Sequence, residues 1–189
     1  MLVQQGATYF NPDVAAGGVL AANPGITQPE ANSAAWHEGR RLLERAITEH
    51  RDFAFETTLG GRTILALLER ALSEGIEVRV WYVGLISPEL HIARVRARVG
   101  RGGHDIPEET IRERYDRSRL KVIQLLPKLT ELRVYDNSKD ADPIAGAAPE
   151  PTLILHCTRG ATVSTCAMSL VPDWAKPILV TAMRRAGVS

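Results

Sequence analysis

The sequence is poor in aromatic residues and cysteine, has almost no net charge and contains no long apolar run. Phe, Trp and Tyr make up 5% of the 189 residues, and there are two cysteines. A formal net charge of +1 gives no overall attraction to nucleic acid or to an anionic membrane. No apolar run approaches a membrane span, and no signal segment opens the chain. We therefore expect a cytoplasmic protein that binds neither nucleic acid nor membrane.

The cysteines and histidines do not form a metal-binding pattern. Cys157 follows His156, but no second closely spaced Cys or His pair completes a zinc ligand set. We expect Cys157 and Cys166 to be reduced, packed thiols, as is usual in the cytosol. The remaining histidines are scattered, so we predict no metal ligands.

The order of strand and helix patterns predicts one α/β domain over residues 1–189, with a mostly parallel sheet. Strands are predicted at residues 7–10, 52–56, 77–85, 132–135, 152–157 and 161–166. Helices are predicted to begin near Thr27, Gly61, Ser87, Pro107 and Asp173. The strand–helix–strand segment 52–85 indicates a parallel βαβ unit, whereas residues 152–166 favour a hairpin. Residues 17–28 predict a loop with room for a short helix.

Polar clusters directly follow three of the predicted strands. They are Asn11-Pro12-Asp13, Glu56-Thr57-Thr58 and Asp136-Asn137. Ligands of open parallel sheets bind beyond the carboxyl ends of the strands. Asp13 is therefore the candidate general base that accepts a proton from a substrate hydroxyl. The alternative is that this cluster simply forms a turn, since all three of its residues favour turns.

The second cluster offers a carboxylate and two hydroxyls for polar-substrate recognition. Glu56, Thr57 and Thr58 form this group, and Arg62 follows one turn further on. The alternative is a structural cap, in which Thr57 or Thr58 satisfies helix N–H groups and Arg62 is solvated.

Arginines are concentrated between residues 94 and 119, on two predicted helices joined by Gly102-Gly103. Such a hinged element suits a lid that closes over phosphate groups, because guanidinium matches the geometry of phosphate oxygens. Interleaved acids favour the alternative of a solvated face for most of these arginines. These acids and the scarcity of aromatics also disfavour nucleic-acid binding. We single out Arg101 and Arg114 as candidate lid residues.

Four motifs, in this order, make the sequence similar to the zeta-toxin-like family of P-loop small-molecule kinases. They are Asn11-Pro12-Asp13, FAFETTL at 53–59, RGGHDIP at 101–107 followed by Arg112 and Tyr115, and VYDNS at 134–138. The resemblance covers roughly residues 7–138. It implies a three-layer P-loop kinase-like fold, Mg-ATP as donor and transfer of phosphate to a small-molecule hydroxyl. In well-known members the acceptor is the nucleotide sugar UDP-N-acetylglucosamine, and an antitoxin protein is a possible partner.

The resemblance also implies roles for individual residues. Asp13 matches the base near the acceptor hydroxyl, with Asn11 beside it. Acceptor-side positions are matched by Glu56, Thr58 and Arg62, and Thr57 lies between the first two as a further candidate substrate-binding residue. Catalytic lid arginines, which hold ATP phosphates and offset transition-state charge, are matched by Arg101 and Arg114.

One family element has no counterpart in the sequence. The motif G-x-x-x-x-G-K-[ST], which cradles nucleotide phosphates, does not occur in the 189 residues. Residues 1–6 have the character of a last helical turn with a terminal glycine. We therefore expect the reading frame to continue upstream of Met1 with the first strand and the phosphate loop, and the chain as given to bind Mg-ATP weakly. The functional alternative is a non-catalytic module that binds a small molecule or an antitoxin.

Overall fold

The chain has an α/β structure that divides into two compact units. The computed structural model describes residues 8–139, 150–159 and 161–185. The first unit comprises residues 1–76 and the second residues 77–189. The helix end expected at residues 1–6, most of the loop expected after residue 139 and the last residues of the closing helix lie outside the described residues.

The first unit combines a pair of short parallel strands with three helices. In chain order they are β1 (Thr8–Phe10), α1 (Pro12–Ala22), α2 (Gln28–Thr48), β2 (Phe53–Phe55) and α3 (Arg62–Ser73). β1 and β2 run parallel, with Phe10 opposite Phe55. The chain segments that follow these two strands therefore leave the pair at the same edge.

Helix α1 begins where the sequence predicted a turn and continues through the expected loop. Asn11 is its N-cap, and Pro12 occupies the first helical position. α1 packs on α2 through small side chains, Ala16 against Ala31 and Ala35. Residues 17–28 were expected to form a loop with room for a short helix, and α1 occupies them as far as Ala22, because the cap and this close packing outweigh the low helix propensity of Gly17-Gly18.

The second unit is built on a four-stranded mixed sheet. Its main elements are β3 (Arg79–Gly84), α4 (Pro88–Val99), α5 (Glu108–Leu125), β4 (Glu131–Asp136), β5 (Thr152–Thr158), β6 (Ala161–Thr165) and α6 (Lys176–Arg185). The strand order is β3-β4-β5-β6. The β3–β4 pair is parallel, while β4–β5 and β5–β6 are antiparallel. A core of Leu, Ile and Val side chains from β4, α5 and α6 fills this unit.

The expectation of a mostly parallel sheet is wrong for the described strands. β2 pairs with β1, and β3 pairs with β4, so the expected βαβ strands lie in different sheets. The predicted hairpin is confirmed, because only two residues separate β5 from β6 and so short a connection joins antiparallel strands. The long segment through α4 and α5 permits the parallel β3–β4 pair.

The predicted lid corresponds to the helical hairpin of α4 and α5. Ser87 caps α4 as expected, its hydroxyl accepting from the Leu90 N–H at 3.1 Å. Ile106 in the connecting loop packs against Ile92, Val95 and Ile111, so the hairpin has an apolar core of its own. Within the described residues, no helix combines the length and apolar character needed to cross a bilayer.

Candidate functional site

The carboxyl edge of the β1–β2 pair brings two of the predicted site residues into contact. The Glu56 backbone N–H donates to the Phe10 carbonyl at 3.1 Å, which extends the strand register by one residue. The amide Nδ2 of Asn11 donates to Oε2 of Glu56 at 3.0 Å. The clusters that follow β1 and β2 therefore contact each other at this edge through Asn11 and Glu56, while Asp13, the residue expected to share the cleft with Glu56, lies in the first turn of α1.

Asn11 has a fixed amide orientation because both ends of the amide are engaged. Its Oδ1 accepts the backbone N–H of Asp13 at 2.9 Å and of Val14 at 3.0 Å. Its Nδ2 therefore faces Glu56. Asp13 lies exposed in the first turn of α1, where a carboxylate interacts favourably with the helix dipole.

Tyr9 completes this arrangement and was missed from the sequence. Its phenol donates to Oε1 of Glu56. This hydrogen bond raises the pKa of Tyr9, while a weaker opposing effect comes from Asn11. A signal was present, because Asn11 directly follows β1 with an extended backbone, and residues two apart in an extended chain point to the same face. We call Tyr9, Asn11 and Glu56 the edge cluster.

The threonines after β2 have different surroundings. The Thr57 hydroxyl accepts the backbone N–H of Leu59 at 3.0 Å. Leu59 is buried and has a φ of 50°, so this bond supports a strained turn. Thr58 and Arg62 are exposed. The alternative that a threonine caps α3 is wrong, because its N-cap is Gly61 and no side chain hydrogen-bonds there.

Around His91 on α4, the second unit gathers positive charge. Burial lowers the pKa of His91, and the nearby charges of Arg98, Arg94 and Arg114 lower it further. Arg101 lies exposed in the turn after α4, and its Nε donates to the Ala97 carbonyl of that helix at 3.2 Å. Of the two predicted lid arginines, Arg114 is among the charges that lower the pKa of His91, and Arg101 is not. We call His91, Arg94, Arg98 and Arg114 the basic cluster.

Arg94 and Arg98 are not members of a merely solvated face. Arg94 donates to the backbone carbonyls of Asn137 at 2.7 Å and Lys139 at 2.9 Å. Arg98 donates to the His104 carbonyl at 3.2 Å, and its buried Nε has no hydrogen-bond partner within the described residues. An unsatisfied buried guanidinium N–H can donate to an anionic ligand. Sequence reasoning missed Arg98 because it lies in a run of similarly spaced arginines.

The third predicted cluster, at the end of β4, is engaged in local structure. Oδ1 of Asp136 accepts from the indole N–H of Trp174 at 3.3 Å and from the Ser138 hydroxyl. The Asn137 N–H donates to the Gly84 carbonyl at 2.9 Å, which continues the β3–β4 register. Asp136 and Asn137 therefore hold together the carboxyl ends of these strands.

Metal binding has no support in the residues that are described. Nowhere in residues 8–139, 150–159 and 161–185 do three or more His, Cys, Asp or Glu side chains gather as a potential metal site. The basic cluster does have the charge to contact phosphate oxygens.

Together these features define an α/β protein with a polar cluster beside a parallel strand pair and a basic helical hairpin. No protein-family model matches the chain, and no solved structure matches it. Over 74 residues it is 38% identical to a protein of Haemophilus influenzae that bears the name Uncharacterized protein. That match covers 39% of this chain and 53% of the relative, so the chain spans about half of the relative's length.

Proposed function

We propose that the chain carries the acceptor side of an ATP-dependent phosphotransferase that acts on a small-molecule hydroxyl. The observation that carries this proposal is the edge cluster, in which Asn11 and Tyr9 hold the Glu56 carboxylate at the carboxyl edge of parallel strands. This is the edge at which α/β enzymes bind their ligands. The proposal includes the three-layer P-loop kinase-like fold and the single-domain organisation that the resemblance to zeta-toxin-like kinases implies.

The proposed roles follow from the chemistry of each group. Asp13, exposed at the start of α1, accepts the proton of the acceptor hydroxyl. Glu56 accepts hydrogen bonds from other hydroxyls of the same molecule. The resemblance assigns the offset of phosphate charge to Arg101 and Arg114. No step is assigned to magnesium.

The second candidate function is a non-catalytic module that binds a small molecule or an antitoxin protein. The observation that favours it is the sequence itself, which contains no G-x-x-x-x-G-K-[ST] motif. A module of this kind retains acceptor binding and transfers no phosphate.

Acceptor binding by the edge cluster is tested by isothermal titration with UDP-N-acetylglucosamine and free N-acetylglucosamine. We expect the chain to bind at least one of them, and Glu56→Gln to weaken binding tenfold or more, because hydrogen bonds to charged groups contribute about 1.5–3 kcal/mol. Glu38→Gln is the matched control, since Glu38 pairs with Arg41 on the surface of α2. Equal binding by the Glu56 and Glu38 variants would remove the acceptor role of Glu56.

Phosphate transfer separates the two candidate functions. The chain is incubated with labelled ATP, magnesium and the acceptor that binds, and labelled product is measured for wild type and Asp13→Asn. If the wild type transfers phosphate to the acceptor and Asp13→Asn does not, the result supports the phosphotransferase. Because the chain is expected to bind Mg-ATP weakly, ATP is supplied in large excess, and acceptor binding without any transfer under this condition supports the non-catalytic module instead.

A further inference from the structure

Tyr9 is exposed to solvent and contributes little to packing, yet it makes a specific polar contact. Its side chain lies on a three-residue strand, and the residue is 45% exposed. The pairing of β1 with β2 already rests on backbone hydrogen bonds. A hydrogen bond between exposed groups adds little net stability. The contact between Tyr9 and Glu56 therefore matters more for the orientation of the carboxylate than for the fold.

Both oxygens of Glu56 are held by uncharged donors from the same short segment. Tyr9 donates to Oε1, and Asn11 donates to Oε2 at 3.0 Å. Because Asn11 is fixed by its bonds to α1, it anchors one oxygen, and Tyr9 determines the rotation of the other. A carboxylate has about four acceptor positions, so at least one on each oxygen remains available for a ligand.

We propose that Tyr9 is a positioning residue, which holds the Glu56 carboxylate in the orientation that accepts hydrogen bonds from hydroxyls of the acceptor. This inference rests on the proposed function and extends it to a residue that lies outside the quoted motifs. Tyr9 acts through Glu56 and does not itself contact the reacting atoms. The hydrogen bond to Glu56 keeps the pKa of Tyr9 above its usual value, so the phenol remains a donor throughout the neutral range.

The test is a double-mutant cycle on acceptor binding. Titrations with UDP-N-acetylglucosamine and N-acetylglucosamine compare wild type, Tyr9→Phe, Glu56→Gln and the double variant. We expect Tyr9→Phe to weaken binding about tenfold, and to cause no further loss when Glu56 is already Gln, because the two residues then act as one unit. Tyr135→Phe, on β4 of the second unit, is the control for removal of a tyrosine hydroxyl.

A spectroscopic measurement checks the contact independently of binding. Tyrosine ionisation is followed by ultraviolet absorbance, and the difference between wild type and Tyr9→Phe isolates the titration of Tyr9. Glu56→Gln should lower the pKa of Tyr9, because it removes the charged acceptor that raises it. Urea unfolding of Tyr9→Phe should give the wild-type midpoint.

Each outcome decides a different part of the inference. Binding by wild type that Tyr9→Phe leaves unchanged overturns the role of Tyr9 and leaves the proposed function standing. If the double variant loses as much binding free energy as the two single variants together, Tyr9 does not act through Glu56. This result also overturns the positioning role of Tyr9. If wild type binds neither probe, the proposed function and the role of Tyr9 fail together.

Discussion

At the scale of single residues, Asn11 combines a helix cap with a contact to a candidate ligand-binding carboxylate. Serine caps helices about as well as asparagine but has no amide to donate to Glu56. We predict that Asn11→Ser has a free energy of unfolding within about 0.5 kcal/mol of the wild-type value but binds the acceptor more weakly. Asn11→Ala should bind the acceptor more weakly and also lower the free energy of unfolding by about 1 kcal/mol. Urea unfolding and acceptor titration of both variants measure the two effects. Equal stability of the serine and alanine variants would show that the cap contributes nothing.

His91 reports on the charge of the basic cluster. The positive charge of Arg98 helps to lower the pKa of His91, whereas Arg101 is not among the charges that do so. We predict that Arg98→Ala raises the pKa of His91, observed by NMR titration of the imidazole C–H signal, and that Arg101→Ala leaves it unchanged. Inorganic phosphate should also raise this pKa if it binds the cluster, because it offsets the arginine charges. If Arg101→Ala also raised the pKa of His91, Arg101 would belong to the basic cluster.

The sequence predicts some residue contacts and not others. Asp13 and Glu56 were expected at one edge because both directly follow strands that should be parallel, and the residue that contacts Glu56 there is Asn11. Tyr9 was within reach of the same argument through strand periodicity. The difference between Arg98 and Arg101 could not be predicted from the sequence. Helical spacing assigns a residue to a face of the helix, but it does not reveal that the Nε of Arg98 is buried. The roles proposed for Asp13, Thr58, Arg62 and Arg114 stay predictions.

At the scale of secondary-structure elements, the end of β3 packs tightly against the segment before α6. A Cβ atom on Gly84 would lie 2.3–2.7 Å from ring atoms of Trp174. We predict that Gly84→Ala destabilises the protein by about 1–3 kcal/mol, because the overlap forces the rigid indole to move. Gly17→Ala is the control, since no atom lies within 4 Å of a Cβ there and alanine favours a helix by about 0.5–1 kcal/mol. Chemical unfolding compares both variants, and an unchanged Gly84→Ala midpoint would contradict the contact.

Local signals determined most element boundaries correctly, and their failure at α1 has a clear cause. The capping box of Thr27 and Glu30 is present at the start of α2, and Ser87 caps α4. α1 buries only Ala16 fully, with Val19 and Leu20 packed partly buried beside it, and Gly17-Gly18 interrupt its apolar residues. A helix held by close approach of small residues gives no strong periodic pattern, so its sequence resembles a loop.

At the scale of the whole molecule, the two units differ in the size of their buried side chains. The largest fully buried side chains all belong to the second unit: Ile111, Leu125, Leu126, Leu129, Leu132, Ile178, Leu179, Val122 and Val134. In the first unit, α1 buries only Ala16. We predict that hydrogen–deuterium exchange is slowest in β4 and α6 and fastest in α1. Local opening of α1 exposes the least apolar surface, so it costs the least free energy. Peptide-resolved mass spectrometry measures this, and equal protection of α1 and β4 would contradict it.

Sheet topology was the least predictable feature of the fold. Strand periodicity identifies strands and their faces but not their partners, because pairing depends on segments distant in sequence. The sequence pattern therefore could not predict that β2 and β3 lie in separate sheets. The β5–β6 hairpin could be predicted, because the connection between the two strands is short. The general α/β class followed from the order of elements alone.

The burial of Trp174 gives the protein a built-in optical reporter. Of its three tryptophans, Trp174 is 4% exposed, while Trp36 and Trp81 are 42% and 49% exposed. Trp81→Phe would leave one indole in each unit, with Trp36 emitting at long wavelength in water and Trp174 at shorter wavelength in an apolar setting. Acrylamide would then quench the Trp36 emission selectively. Unfolding of each unit could therefore be followed at a separate emission wavelength in one sample.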